Sequence, residues 1–288
     1  MRVDARTAAL VLLSRLSLAA GGDAKAGPAV PDVVFAPHRA VYDLKLDSSS
    51  PGSGVAAIMG RIVYELTGSP CDGYAQTMRY VTVTSNQEGD GMLTDLRNSS
   101  WESVPPSRLR FSSSNYQNEV AVDRTQGTAL REQATDKVMV DMARPAKKKF
   151  GLPGNIYFPI QHSMAVVRAA EAGQRMLAAD LYDGSETGEK VYATSTVIGQ
   201  RFKPGEQKAL TMVKDGDKLD RVPSWPIEVS YFPIGPAKGD VLPLYEMSFR
   251  FHDNGVTSSL RIDHGEFAIR GDLRSLTYLE PTKCPATP

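Results

Sequence analysis

Cysteine is scarce in this chain, whose 288 residues include only Cys71 and Cys284. Two distant cysteines exclude a C-x-x-C redox motif and a zinc site built from four thiolates. If the two thiols pair within the chain, only one connectivity is possible. The alternative is two unrelated buried thiols. A pair would close a loop of almost the whole mature chain and would be structural, because no neighbouring resolving thiol is present.

The chain also lacks an excess of either charge. Lys and Arg number 33, as do Asp and Glu, so the formal net charge is zero. This balance gives no reason to expect nucleic acid as a partner. The basic run of Arg144 and Lys147 to Lys149 is interpreted as a solvated loop, with contact to anionic lipid or glycan as the alternative.

Catalytic and cofactor motifs are missing as well. The sequence has no G-x-S-x-G, no phosphate-binding G-x-x-x-x-G-K-[ST], no G-x-G-x-x-G and no H-E-x-x-H. His252 and His264 could face each other across a predicted hairpin and bind a metal with Asp253 or Asp263, but one ribbon leaves such a site incomplete. The other histidines, His38 and His162, are isolated in sequence. We therefore predict no metal and no cofactor.

Carboxylates give only a weak indication of acid and base chemistry. Glu65, Glu102 and Asp183 are candidate general acids of a glycosidase-like cleft, in which two carboxyl groups stand at a set separation. A solvated strand face or a turn explains each of them equally well. The sequence therefore predicts a protein that is not an enzyme, and a hydrolase of envelope polymer remains as an alternative.

The N-terminus lacks an apolar run long enough for a spanning helix. The stretch Thr7–Ala20 is shorter than about 18 residues and is interrupted by Arg15. Two arginines precede it, and Ala24-Lys25-Ala26 follows as a cleavage site, which is typical of a secretory signal. We expect a signal peptide over residues 1–26. A membrane anchor or a different start codon is the alternative.

Export and cysteine usage support each other, because disulfides persist in oxidising compartments. No linker or change of composition divides the remaining chain. We therefore expect a single domain over residues 27–288.

Period-two alternation dominates this part of the chain and predicts strands with one buried face. Turn sequences rich in Gly, Pro, Asn and Asp separate the runs, and Asn254-Gly255 predicts a hairpin. The alternating sets are Ala40, Tyr42, Leu44 and Leu46; Ile62, Tyr64 and Leu66; Trp225, Ile227, Val229 and Tyr231; and Tyr245, Met247, Phe249 and Phe251.

One stretch, Ser163 to Ala172, has helical character. Ser163 is predicted as its N-cap and Gly173 as its end. Met164 and Val167 would face inward, with Arg168 and Glu171 in water. Such a helix usually packs on the sheet or closes the end of a barrel, and we expect it to plug the structure and not to carry catalysis.

Several separated segments together resemble the periplasmic cell-envelope integrity proteins of the EipB type, over essentially the whole mature chain. The segments are APHRAVYDLKL at 36–46, GRIVYELTGSPCDGY at 60–74, DLRNSSWES at 95–103, LPGNIYFPIQH at 152–162, LYDGSETGEKVYATSTVIG at 181–199 and the closing Cys284.

This resemblance implies an all-β fold with one short helix: a many-stranded, strongly bent antiparallel sheet forming a β-spiral or incomplete barrel. It maps the family's disulfide onto Cys71 and Cys284. It also implies a non-catalytic periplasmic protein that maintains envelope integrity and stress resistance through protein contacts, with a functional link to periplasmic tetratricopeptide-repeat proteins.

A curled sheet also allows a second mode of action. If the interior is lined by Tyr42, Leu44 and Tyr64, it can accept an acyl chain. The alternative function is therefore a periplasmic carrier or chaperone for lipid, lipoprotein or glycolipid. A helix that fills the interior would favour protein contacts, whereas a helix at the rim would leave room for a ligand.

Overall fold

Strands make up most of the structure, as the alternation predicts. A computed structural model describes residues 33–132, 135, 137–206, 210, 213–234 and 241–284. The predicted signal peptide, residues 1–26, lies outside the described residues. The described residues all fall within one compact unit, Asp32–Pro288. None of the helices in the described ranges is both long and apolar enough to cross a membrane.

Eight strands precede the α-helix and six follow it. The first eight are β1 (His38–Ser49), β2 (Ala57–Ser69), β3 (Gly73–Ser85), β4 (Gly91–Glu102), β5 (Arg108–Gln117), β6 (Val120–Glu132), β7 (Lys137–Arg144) and β8 (Lys148–Pro153). The helix α1 spans Pro159–Glu171. The last six are β9 (Met176–Leu181), β10 (Tyr192–Ile198), β11 (Ser224–Pro233), β12 (Tyr245–His252), β13 (Thr257–Asp263) and β14 (Phe267–Tyr278).

All 14 strands join in one antiparallel sheet with the order β8-β7-β6-β5-β4-β3-β2-β1-β14-β13-β12-β11-β10-β9. The sheet consists of two meanders, β1 to β8 and β9 to β14, which meet where β1 pairs with β14. Strands β8 and β9 form the two edges, so the curled sheet remains unclosed. The predicted all-β fold, a bent antiparallel sheet in an incomplete barrel, is confirmed.

Register shifts help this sheet to bend. The β1–β14 pair has two, one between Val41 and Tyr42 and another between Leu46 and Ser48. Further shifts occur in the β5–β6, β6–β7 and β12–β13 pairs. An extra residue on one strand of a pair bends that strand and increases its twist. The bulges therefore allow one long sheet to curl over its own core.

The buried face of β1 follows the predicted period. On β1, Ala40, Tyr42 and Leu44 are buried, whereas Val41 and Asp43 are more exposed. Three apolar clusters result. One packs α1 against β10, β11 and β12, a second lies among β1, β2, β13 and β14, and a third lies on β5, β6 and β7.

The predicted hairpin is confirmed as the β12–β13 pair. Its loop is longer than two residues, because the His252 amide donates to the Val256 carbonyl at 2.9 Å around Asp253–Gly255. Gly255 has a φ of +85°, and an added Cβ would lie 2.6 Å from Cγ of Phe35. This position therefore needs glycine both for its backbone conformation and for the close approach of Phe35.

The predicted start of the helix is wrong by four residues. The helix begins at Pro159, after the N-cap Phe158. Proline is well tolerated there because the first amides of a helix have no intrahelical acceptor. Ser163 lies inside the first turns, where its hydroxyl donates to the Pro159 carbonyl at 3.0 Å. The predicted end is confirmed, since Gly173 follows the C-cap with a φ of +74°.

The inward and outward sides of α1 agree with the prediction. Met164 and Val167 are buried, whereas Arg168 and Glu171 are exposed. A second helical element is the 3-10 helix at Gly216–Arg221, which the sequence patterns did not predict. It is held by the buried Leu219, which joins the cluster around β1 and β14.

Candidate functional site

The curled sheet encloses a cavity of about 680 Å³ beside α1. This volume lies within the range of roughly 300–1,000 Å³ that is typical of small-molecule sites. Side chains from both meanders line it, including Tyr42, Tyr64, Met78, Met247 and Phe249. Leu44, which was predicted to line the interior, is instead buried in the cluster around β1 and β14.

Helix α1 forms part of the cavity wall and leaves the interior open. Pro159, Ile160 and Val166 face the cavity. Met164 and Ala170 belong to the cluster that also contains Trp225 and packs the helix against the sheet. The expectation that the helix plugs the structure is therefore wrong, because α1 packs against the sheet and leaves room for a ligand.

Glu102 anchors the start of this helix. Its carboxylate accepts hydrogen bonds from the amides of Ile160 at 2.6 Å and Gln161 at 3.1 Å. A negative charge at a helix N-terminus is stabilised by the unpaired amides and the helix dipole. Glu102 is only 2% exposed, and burial raises its pKa to about 7 against the lowering effect of the two amides.

Two buried histidines also border the cavity. His162 on α1 lies 3.2 Å from the hydroxyl of Thr194 through Nε2, and burial lowers its pKa to about 4. His38 on β1 lies 2.8 Å from the Ala36 carbonyl through Nδ1, and burial lowers its pKa as well. Both side chains are therefore neutral and hydrogen-bonded at neutral pH, which fits a structural role in the cavity wall.

One end of the cavity is aromatic and acidic. The rings of Tyr231 and Tyr245 stack with 4.4 Å between centroids, and the Tyr192 ring meets Tyr231 edge-on at 6.2 Å. Asp183 and Glu186 line the cavity in the same region. Glu186 accepts a hydrogen bond from the Tyr192 hydroxyl at 2.6 Å and pairs with Lys190.

Asp183 differs from Glu186 because it has no basic partner in the described part of the chain. Its carboxylate accepts the Ser185 amide at 2.9 Å. Burial raises its pKa, which the hydrogen bonds with Ser185 only partly oppose. Burial is the main cause of the raised pKa values of Tyr192, Tyr231 and Tyr245, and the charge of Asp183 adds to each of them.

The three predicted carboxylates are not gathered in one cleft. Only Asp183 lines the cavity. Glu102 is bound to the helix amides. Glu65 lies between Tyr64 and Leu66 on β2, and its side chain therefore points to the opposite face of the sheet. Their arrangement gives no pair of carboxylates facing a common substrate.

The predicted histidine pair does not form. His252 ends β12 and its Nε2 lies 2.9 Å from the hydroxyl of Ser258, whereas His264 follows β13 and stacks near Phe267 at 4.8 Å. They lie at opposite ends of β13. Among the described residues, no group of three or more His, Cys, Asp or Glu is placed to hold a metal.

The basic run lies at the turn between β7 and β8. Lys148 pairs with Glu189 at 2.5 Å and Lys149 with Asp141 at 3.0 Å, and all four side chains are about half exposed or more. These are ordinary surface pairs, which contribute about 0–1 kcal/mol each. The run is therefore solvated as predicted, but only part of it is loop, because Arg144 ends β7 and Lys148 and Lys149 begin β8.

The predicted disulfide is present. Cys71, between β2 and β3, is bonded to Cys284, with 5.7 Å between the Cα atoms and 213 positions of separation. The bond joins the segment after β14 to the β2–β3 turn. Since β1 lies between β2 and β14 in the sheet, the disulfide bridges across the strand that unites the two meanders.

The aromatic end of the cavity was missed at the level of sequence. Tyr231 and Tyr245 were recognised only as members of buried strand faces. Their direct pairing across β11 and β12 depends on a register that the alternation does not specify. The clue was present in the high tyrosine content, 11 residues against two tryptophans, but it did not locate the cluster.

Comparisons with known proteins agree with this architecture. The model of the EipB-like family matches residues 29–280. The chain is 32% identical over 262 residues, 91% of each sequence, to a protein of Brucella abortus (strain 2308) named cell envelope integrity protein EipB. It is also similar to the crystal structure of a beta-barrel-like protein of the domain of unknown function DUF1849 from Brucella abortus. That structure has a TM-score of 0.77 and 30% identity, covering 85% of this chain and 99% of that one. The chain belongs to the EipB-like family.

Proposed function

We propose that this chain is an exported, non-catalytic periplasmic protein that supports the integrity of the cell envelope. The name of its relative in Brucella abortus supports the envelope role. The disulfide between Cys71 and Cys284 supports an oxidising compartment, because such bonds are rare in the cytosol. The separation of the three candidate general acids, Glu65, Glu102 and Asp183, supports a role without catalysis.

Its mode of action, in this proposal, is to hold the apolar part of an envelope lipid or lipid-bearing molecule. The observation that carries this mode is the 680 Å³ cavity that α1 leaves open inside the sheet. Its wall combines apolar side chains such as Met78, Met247 and Phe249 with a few polar groups. An interior of this kind gains free energy when an acyl chain replaces water against the apolar surface.

The test is to extract the protein with organic solvent after expression with its export signal and purification without detergent. Mass spectrometry should detect lipid in the wild-type extract. Met78→Trp and Ile262→Trp enlarge half-buried side chains of the cavity wall and should reduce the bound lipid. Met59→Trp is the matched control, because Met59 is 70% exposed on β2 and does not line the cavity.

An empty wild-type extract would overturn the carrier mode. Contact with a protein partner would then be the remaining mode, with a periplasmic tetratricopeptide-repeat protein as the first candidate from the family resemblance. A pull-down in oxidising buffer would test that mode directly.

A further inference from the structure

The charges in the cavity wall all have the same sign. Its described lining contains Asp123, Asp183 and Glu186 but no Lys or Arg. A phosphate or carboxylate head group in this interior would meet no basic side chain and three acidic ones. The wall therefore disfavours an anionic ligand and favours a cation.

The aromatic end offers a second, independent feature that favours a cation. Tyr192, Tyr231 and Tyr245 pack on one another, and all three line the cavity. The negative faces of aromatic rings attract ammonium groups, and quaternary ammonium ligands are commonly bound in such cages. His264, whose ring lies 6.3 Å from that of Tyr245, has its pKa lowered by burial and stays neutral at neutral pH.

At this end of the cavity, Asp183 is the carboxylate that no basic side chain of the described residues balances. Glu186 is already paired with Lys190. Asp183 has only its hydrogen bonds with Ser185 to balance its charge in the described structure. Desolvation of a carboxylate that has no basic partner disfavours its charged form, as the raised pKa of Asp183 shows, and a ligand cation would stabilise that charged form.

We propose that the cavity binds an amphiphile with an ammonium or quaternary ammonium head group, held by Asp183 and the rings of Tyr192, Tyr231 and Tyr245, with its acyl chain along the apolar wall. This inference rests on the proposed carrier function and adds the chemical class of the ligand. The chain would lie along side chains that the cavity already presents, among them Ile62, Met78, Met247, Phe249 and Ile262.

Isothermal titration calorimetry tests this inference with three probes, of which the two amphiphiles are kept below their micelle concentrations. Dodecyltrimethylammonium has both the cation and the chain, dodecanoate has the chain with an anion, and tetramethylammonium has the cation alone. Dodecyltrimethylammonium should bind delipidated wild-type protein about tenfold or more tightly than either of the others, because only it satisfies both ends of the cavity.

The variant Asp183→Asn removes the charge and keeps an oxygen that can accept the Ser185 amide. It should lose most of the preference for dodecyltrimethylammonium over dodecanoate. Asp272→Asn is the matched control, because Asp272 is an exposed carboxylate of β14 paired with Lys45 outside the cavity. It should keep the wild-type preference.

A second pair of variants tests the rings without changing charge. Tyr245→Phe keeps an aromatic face and should retain the affinity within a few-fold, whereas Tyr245→Leu should weaken it by about tenfold. Thermal melts of each variant establish that it is folded.

The outcomes separate the two proposals. Equal binding of dodecanoate and dodecyltrimethylammonium, or an unchanged preference in Asp183→Asn, would overturn the head-group assignment and leave the carrier function standing. Tetramethylammonium that binds as tightly as the amphiphile would also contradict it, since the chain would then contribute nothing. No binding of either amphiphile would overturn both proposals.

Discussion

Glu102 shows how one buried carboxylate connects the sheet to the helix. It ends β4, yet its two oxygens accept the first amides of α1, 58 and 59 positions further along the chain. No short sequence pattern marks such a distant cap, and local reasoning therefore placed the cap at Ser163. Burial also gives this residue a measurable signature in the pH dependence of stability.

The first prediction concerns Glu102→Gln. The pKa of Glu102 rises from its ordinary value of 4.5 to about 7 in the folded protein. Between these values the folded state binds more protons than the unfolded state, so the free energy of unfolding falls as pH rises. The glutamine variant lacks this titration. The stability of the wild type relative to the variant should therefore decrease by on the order of 3 kcal/mol between pH 4 and pH 8.

Denaturant unfolding of both proteins across this pH range provides the measurement. Taking the difference between them cancels the titration of groups that the substitution leaves unchanged, such as His38 and His162. A difference that stays constant with pH would show that the Glu102 carboxyl has the same pKa in both states.

At the scale of elements, the loop between β9 and β10 packs closely on the first meander. Tyr182 meets the Phe111 ring edge-on at 5.7 Å, and the Thr125 hydroxyl donates to the Gly184 carbonyl at 2.9 Å. Gly184 has a φ of +70°, and an added Cβ would overlap the ring of Phe111. This loop therefore couples the part of the chain after α1 to β5 and β6.

The second prediction compares two glycines with similar backbone conformations. Gly173→Ala, at a φ of +74° with open space around it, should cost about 1–2 kcal/mol from backbone strain alone. Gly184→Ala should cost a further 1–3 kcal/mol, roughly, because Phe111 must move. Chemical denaturation measures both free energies of unfolding. Equal losses would mean that the contact between Gly184 and Phe111 does not constrain the loop.

Strands and helix differ in how far the sequence predicted them. The alternating residues of β1, β2 and β11 identified their buried faces correctly, because a one-sided core imposes period two on a strand. Those of β12 identified the face that lines the cavity. Helix α1 was found through its alanines, and its end was found through Gly173. Its start was not, since the acceptor for the first free amides, those of Ile160 and Gln161, is Glu102 from another strand.

At the scale of the whole molecule, strand pairing was the part that the sequence alone could not give. Alternation predicts which face of a strand is buried, but it does not determine which strands pair. It therefore could not show that β1 pairs with β14 or that β8 and β9 remain apart at the edges. The same limit applies to the cavity. Tyr42 and Tyr64 were predicted to line it, whereas the cluster of Tyr192, Tyr231 and Tyr245 appears only when three strands and a loop are brought together.

The last prediction concerns the bond that closes the chain. The disulfide between Cys71 and Cys284 restricts a loop of 213 positions in the unfolded state, which in the chain-entropy description stabilises the fold by at most about 5 kcal/mol. Cys71→Ser should therefore lower Tm in oxidising buffer by up to roughly 10–20 °C. The double variant Cys71→Ser and Cys284→Ser controls for the remaining free thiol and should melt at a similar temperature. In reducing buffer the wild type should approach both variants, since its loop is then open as well. Coincident melting curves in oxidising buffer would instead mean that the bond adds no stability, and that noncovalent contacts such as the pairing of β1 with β14 hold the two meanders together.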